Sequence, residues 1–336
     1  MAFQQGHALV IGVGTHRYHP GLDVPITVAD AEAVVNVLRD PNACGYPAQQ
    51  VRALHRGEAT KPGILAGLDE LAARAGTGDT VFLFFCGHGA RGTDGDYYLV
   101  SHDVRLQGDR VAAGTGVSEG ELLQKLRDIQ ARRMLLIFNA CHSGNISPTL
   151  EPGRETLATA NPDADTAEAL LGTGQGRIII TACREEQVSY IGTGRLTIFT
   201  QALVDGLCGK GVRNSNGFIS AFSLYEHVYE AVTEAVRAQI GAVQEPELTV
   251  LRGVGPFAVA LYRGASALGD FPAGERPPAD MAVREVPRER SACRFEQRVH
   301  TDGGAYIGGN VNVGRDFIGR DKIVYGDEVH GDKIGG

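Results

Sequence analysis

The sequence predicts an α/β protein: a mainly parallel sheet of six strands flanked by helices, followed by a Gly-rich repeat tail. Two observations carry that prediction. Short apolar runs alternate with amphipathic stretches over the first two thirds of the 336 residues, the β-α-β-α order that builds a parallel sheet with helices on both faces. The runs at 80–86 (TVFLFFC) and 133–139 (RMLLIFN) lack polar alternation, as strands covered on both faces do. A third observation points to where function lies. In such sheets the site forms at the carboxyl ends of the strands, and both of these runs end in polar clusters that contain glycine.

Each element has its own signal. Residues 7–13 (HALVIGV) read as the first strand, and 27–39 as a helix with Val28, Ala31, Val34, Val35 and Leu38 on one face. A weak strand at 51–54 precedes a helix at 61–75, opened by Thr60 as N-cap with Pro62 in the first turn. Asp94-Gly95 gives 92–100 hairpin character. Ser118 and Glu121 form a capping box that opens a helix running to residue 129. Residues 176–182 (GRIIITA) are the next strand, 197–208 and 221–240 are helices, and 255–262 (GPFAVALY) is the last strand.

Three stretches depart from this pattern. Residues 145–175 are a polar loop rich in Thr, Pro and Glu, too long for a structureless connection unless it is functional or cleaved. Residues 264–300 are Pro- and charge-rich and read as a linker. The tail, 301–336, repeats GRDFI, GRDKI, GDEV and GDKI from residue 314 onward. Two readings of it stay open: a small coiled β stack against a partner or another copy, or a disordered Gly-rich segment.

Composition bounds the function. With 32 Lys and Arg against 40 Asp and Glu, the net charge is −8, the wrong balance for a nucleic-acid binder. No apolar run reaches the length of a membrane span, and the N-terminus lacks the features of a secretory signal. A cytoplasmic location with free thiols is expected, because the cysteines Cys44, Cys86, Cys141, Cys183, Cys208 and Cys293 show no zinc-like spacing. No cofactor is expected. Asp94, Asp96 and Asp103 leave calcium dependence open, but no metal site is assigned to them.

The chemistry concentrates at two strand ends. The first strand, 80–86, runs into Gly87-His88-Gly89, and 133–138 runs into Asn139-Ala140-Cys141-His142-Ser143-Gly144. If the strands are neighbours, His88 and Cys141 face each other. A thiol is mostly protonated at neutral pH, and an adjacent imidazole can convert it to a nucleophilic thiolate. The backbone N–H groups of Gly89 and Cys141 could then stabilise an oxyanion. His142 adjoins the thiol but adjacent side chains diverge, Cys86 reads as core, and Cys183 has no histidine placed to serve it.

These motifs carry a family resemblance. FFCGHGA (84–90) and NACHSG (139–144) resemble the His and Cys boxes of caspase-like cysteine peptidases. Caspases place the histidine about 50 residues before the cysteine, and 53 residues separate His88 from Cys141. The Cys box lacks the caspase Gln and is closer to the D-A-C-H-S-G of metacaspases. ALVIGVGTHRYHPGL, VADAEAVVNVLRD, TACREEQVSY and GRLTIFTQALVDGL extend the likeness over residues 5 to 263. The resemblance implies a caspase-hemoglobinase fold over 1–263. A large part (1–144) would hold His88 and Cys141, a variable loop would span 145–175, and a small part would span 176–263. The resemblance also implies a substrate pocket. Metacaspases and paracaspases cut after Arg or Lys and hold it with carboxylates, and a buried guanidinium needs such a partner. Asp30 matches a pocket acid of the paracaspase-like enzymes, Glu185 and Glu186 lie on the pocket-closing loop, and Asn139 stands where metacaspases have Asp. The expectation is cleavage after Arg, more weakly after Lys, because a planar fork suits fixed oxygens. Arg154 and Arg177 are candidate self-cleavage sites.

By analogy the chain would act as a regulated peptidase in a bacterial stress, cell-death or antiviral pathway, on protein substrates, with the tail recruiting a partner or further copies. A second reading keeps the fold as a catalytically silent scaffold acting through the tail. A dinucleotide-binding reading of Gly12-Val13-Gly14 fails on its own terms, because Arg17 occupies the place of the third glycine.

Overall fold

The computed structural model describes residues 2–140, 176–184, 187, 189–254 and 257–264. All belong to the first of two compact units of the chain, Met1–Val283. The 145–175 loop, the 301–336 tail and, apart from Gly264, the linker lie outside the described residues.

Six strands form the main sheet: β1 (Gly6–Gly12), β2 (Val51–His55), β3 (Thr80–Cys86), β4 (Arg133–Asn139), β5 (Gly176–Thr181) and β6 (Glu247–Val254). Their order is β6-β5-β4-β3-β1-β2. Five are parallel, and β6 closes one edge antiparallel to β5. The helices are α1 (Ile26–Arg39), α2 (Lys61–Arg74), α3 (Glu119–Asp128), α4 (Ile198–Leu207) and α5 (Ala221–Ile240).

The unbroken apolar runs have the expected cause. Alternate residues of each strand point to opposite faces. Phe82, Phe84, Leu135, Ile137, Ile178 and Ile180 join one core cluster with the buried faces of α1, α4 and α5. Val81, Leu83, Phe85, Met134, Leu136 and Phe138 join the other with α2 and α3. Both faces of the central strands are therefore covered, so neither set can be polar.

Helix starts follow local chemistry. Thr60 accepts from Gly63 N at 3.1 Å to cap α2, and Ser118 and Glu121 close the capping box on α3. Thr197 caps α4 and Ser220 caps α5 in the same way. Gly95, at φ +91°, makes the turn between the short antiparallel strands Gly89–Arg91 and Tyr97–Leu99, a conformation that favours glycine. No helix among the described residues is long and apolar enough to cross a membrane.

The apolar stretch around 255–262 supplies the last described strand, as expected, but it pairs outside the main sheet. Its strand, Ala258–Leu261, belongs to a separate three-stranded sheet with Asn214–Ser215 and Phe218–Ser220. The edge position is taken by β6, whose residues Glu247 to Val250 are only half-buried. An edge strand covered in part tolerates polar alternation. Apolar content marks burial, as for Val259, Ala260 and Leu261, and does not say in which sheet a strand pairs.

Candidate active site

Strand register aligns the carboxyl ends. Gly12 pairs with Cys86, and Cys86 pairs with Asn139. Beyond the strands, Gly87 N donates to Asn139 O at 3.2 Å. His88 thus leaves β3 beside the point where β4 runs into Ala140, the residue before Cys141. Cys141, His142, Glu185 and Glu186 lie outside the described residues.

His88 is held at both ends. Its carbonyl accepts from Val100 N at 3.0 Å, and Gly89, which follows it, pairs with Leu99. Its ring Nε2 lies 2.8 Å from the carbonyl oxygen of Leu22. A carbonyl can only accept, so Nε2 carries the hydrogen. In the neutral ring, Nδ1 then keeps a lone pair. Burial lowers the proton affinity of the ring below the usual histidine value, opposed by the bond to Leu22 and by the charge of Asp23. The ring is therefore neutral at pH 7, the state in which an imidazole can take a proton.

Leu22 sits on the loop between β1 and α1, whose polar residues carried no assigned role before the fold was known. His16 is buried, with its ring centroid 5.6 Å from that of His88. Its backbone N donates to Asp23 Oδ1 at 2.7 Å, and its Nδ1 lies 3.4 Å from the same oxygen. Burial, the His88 ring and His102 push the His16 pKa down to about 4, against the pull of Asp23. His102 Nδ1 donates to Thr15 O at 2.8 Å. The only sequence signal was a cluster of polar residues, THRYH, just past the end of a buried strand.

Asp30 and Asn139 do come together. Asp30, on α1, has no exposed surface. Its Oδ1 accepts from Thr197 N at 3.0 Å. Its Oδ2 accepts from Thr197 Oγ1 at 2.7 Å, from Cys86 Sγ at 3.2 Å and from Asn139 Nδ2 at 3.5 Å. Asn139 Nδ2 also reaches Thr197 Oγ1 at 2.9 Å and Thr200 Oγ1 at 3.3 Å. Among the described residues no salt bridge reaches Asp30. Burial therefore dominates and pushes its pKa up to about 6, while the Thr197, Cys86 and Thr200 bonds pull it down.

The loop between β5 and α4 is fastened to this cluster. Ser189 Oγ donates to Asn139 Oδ1 at 2.7 Å. Gln244 is fully buried: its Nε2 donates to Ala182 O at 2.9 Å and its Oε1 accepts from Tyr190 N at 2.9 Å. Gln187 Oε1 accepts from Glu245 N at 2.8 Å. None of Ser189, Thr197, Thr200 and Gln244 was singled out for this site from the sequence. Only Thr197 left a trace there, as a polar residue at the start of a helix.

Other sequence candidates settle elsewhere. Cys86 is buried as expected, with its thiol on Asp30, and buried Cys183 donates to Gln187 O at 3.5 Å. Asp94 accepts from Tyr98 Oη, and Asp103 accepts from Lys61 N at the start of α2. Arg177 is corrected as a self-cleavage site. Its backbone lies in β5, paired on both sides, and its guanidinium donates to the carbonyls of Leu126, Ile129 and Ala131. A peptide bond inside a sheet cannot enter a protease cleft. Gly12 is explained by packing: a Cβ there would lie 2.5 Å from Thr27 O on α1.

A family model described as the caspase domain matches residues 5–252. Protein GSU0716 from Geobacter sulfurreducens has a similar structure, with a TM-score of 0.50 and 18% identity over 79% of this chain and 100% of that chain. Caspase-1 from Spodoptera frugiperda is similar at a TM-score of 0.48 and 16% identity, over 78% of this chain and 91% of that chain. No curated protein matches the chain. The first structural likeness speaks to fold alone, whereas the family model spans most of the sequence: the chain belongs to the caspase-domain family of cysteine peptidases.

Proposed function

We propose that the protein is a cysteine endopeptidase that cleaves after basic residues, Arg before Lys, with Cys141 as nucleophile and His88 as general base. The observation that carries this reading is the His88–Leu22 hydrogen bond. It leaves the Nδ1 lone pair available at a strand end whose neighbour, β4, stops two residues before Cys141.

In the proposed reaction, His88 Nδ1 takes the thiol proton as sulfur attacks the scissile carbonyl. The N–H groups of Gly89 and Cys141 stabilise the resulting oxyanion. The imidazolium returns its proton to the leaving amine as the C–N bond breaks. Water, deprotonated by the same ring, then hydrolyses the thioester and releases the acid and the thiol.

The specificity rests on Asp30 with Asn139, and on Glu185 and Glu186 from the loop that follows β5. What supports it is a wholly buried carboxyl with no cationic partner among the described residues. A substrate guanidinium would supply the missing charge. A regulated role in a bacterial stress, cell-death or antiviral response, with the tail recruiting a partner or further copies, is the biological setting this chemistry fits.

The test is a peptide panel varied only at the residue before the scissile bond: Arg, Lys, Asp and Asn. The expected order is Arg, then Lys, with Asp and Asn uncut. His88→Ala and Cys141→Ala each abolish turnover, and a thiol-directed probe labels Cys141 only while His88 is present. Preference for Asp refutes the acidic pocket. No cleavage of any peptide, with no labelling of Cys141, supports the silent scaffold instead.

A further inference from the structure

The loop between β1 and α1 contains a pair, buried His16 and half-buried Asp23, that the proposed chemistry does not use directly. His16 is 2% exposed, and its Nε2 has no hydrogen-bond partner among the described residues. A buried polar atom without a partner is costly, so the site must gain something from placing a histidine there. The contacts show where. The ring stands against His88. The backbone N is tied to Asp23, and Asp23 directly follows Leu22, whose carbonyl accepts the hydrogen bond from His88 Nε2. The loop closes on itself around these residues. His19 N donates to His16 O at 3.1 Å, Leu22 N to His19 O at 2.9 Å and Val24 N to Gly14 O at 3.0 Å.

We propose that Asp23 and His16 are positioning residues for His88: together they fix the Leu22 carbonyl and wall the imidazole, so that the ring is held with its hydrogen on Nε2 and its lone pair on Nδ1. Neither touches the reacting atoms. Asp23 acts in two ways. Its carboxylate anchors the loop through the His16 amide, and its negative charge opposes the drop in His88 proton affinity caused by burial. His16 supplies a flat, uncharged surface against the ring. A neutral group is needed there, because a second imidazolium beside His88 would disfavour the protonated His88 that forms during the reaction. The titratable groups around His16 are Asp23, His88 and His102, and the Leu22 carbonyl completes the surroundings of His88.

This inference rests on the peptidase reading for its kinetic consequence, but not for its spectroscopic one. The experiment uses the full chain and the variants Asp23→Ala, Asp23→Asn and His16→Phe, with His16→Gln as a milder alternative if His16→Phe misfolds. Nitrogen-15 NMR of the histidine rings reads the His88 tautomer and its titration directly, while kcat and KM are measured on the Arg peptide across pH. In the unmodified protein His88 shows hydrogen on Nε2. Asp23→Ala mixes the tautomers and lowers kcat by about a hundredfold with KM little changed, the scale expected for a mispositioned catalytic group. Asp23→Asn keeps an oxygen to accept from the His16 amide. It therefore retains the tautomer and most of kcat, but the acid limb of kcat/KM moves to lower pH because the charge is gone. An unchanged tautomer and unchanged kcat in Asp23→Ala and His16→Phe overturn the proposal. So does an equal loss in kcat and in global stability with the tautomer intact, which is what a merely structural role would give. If the unmodified chain cleaves no peptide, the peptidase reading falls, and the tautomer measurement alone still decides whether Asp23 and His16 position His88.

Discussion

Replacing Asp30 with Asn isolates the free energy held in one buried carboxyl. In the unfolded chain Asp30 titrates near its ordinary 3.8, and in the fold burial pushes that value up to about 6. Between those values the folded protein holds more protons at this site than the unfolded chain does. Stability therefore falls as pH rises through that window and stays reduced above it. A little over two pKa steps at 1.36 kcal/mol each amount to about 3 kcal/mol. Asp30→Asn has no such proton to lose. Its amide also donates where Oδ2 accepted from Thr197 and Cys86, but that cost is independent of pH and cancels on comparing conditions. Urea unfolding of both proteins at about pH 4 and about pH 7.5 measures most of the difference, and the wild type is expected to lose about 2 kcal/mol relative to the variant between them, because at pH 4 the unfolded carboxyl is already half-ionised. The variant should also lose cleavage after Arg, because the charge that destabilises the free protein is the one assigned to the substrate. A stability gap between the two proteins that is equal at both pH values refutes the reasoning.

The remaining expectations concern the site's supports and its base. Gln244→Leu strands Ala182 O and Tyr190 N. It should cost about 3 kcal/mol in chemical unfolding and raise KM more than it lowers kcat, since the loop bearing Ser189 comes loose. Gly12→Ala places a methyl against Thr27 O and Ala31 Cβ. It should destabilise the fold by about 2 kcal/mol, read by thermal unfolding, because α1 must back away from β1. The acid limb of kcat/KM should fall below the ordinary histidine value of 6.5, since burial lowers the proton affinity of His88. A limb at or above 6.5 contradicts the desolvated environment of the ring.

Much of the framework was legible from residue order. The runs at 80–86 and 133–139 match β3 and β4 end to end, because a strand buried on both faces leaves no room for polar residues. Helix boundaries at Thr60 and Ser118 were readable where a side chain caps a backbone N–H within the same few residues. The edge strand β6 was not, because its half-exposed residues carry no unbroken apolar signal. The polar supports of the site were also hidden. Asp30 and Thr197 are 167 residues apart, and Asn139 and Ser189 are 50 apart. No local pattern records a bond between such distant positions.

What the sequence determined by itself is local and periodic: which stretches are strands, which are helices, and that His88 and the Cys141 box follow two such strands. Those features depend on hydrophobic period and on contacts within a turn or two. The tertiary structure decided which strands are neighbours, that His88 donates a hydrogen bond to the Leu22 carbonyl, and that Asp30 is buried among hydroxyls, an amide and a thiol rather than lying on a solvated surface. Proton affinity and tautomer depend on burial and on oriented partners, and both exist only once the chain has folded.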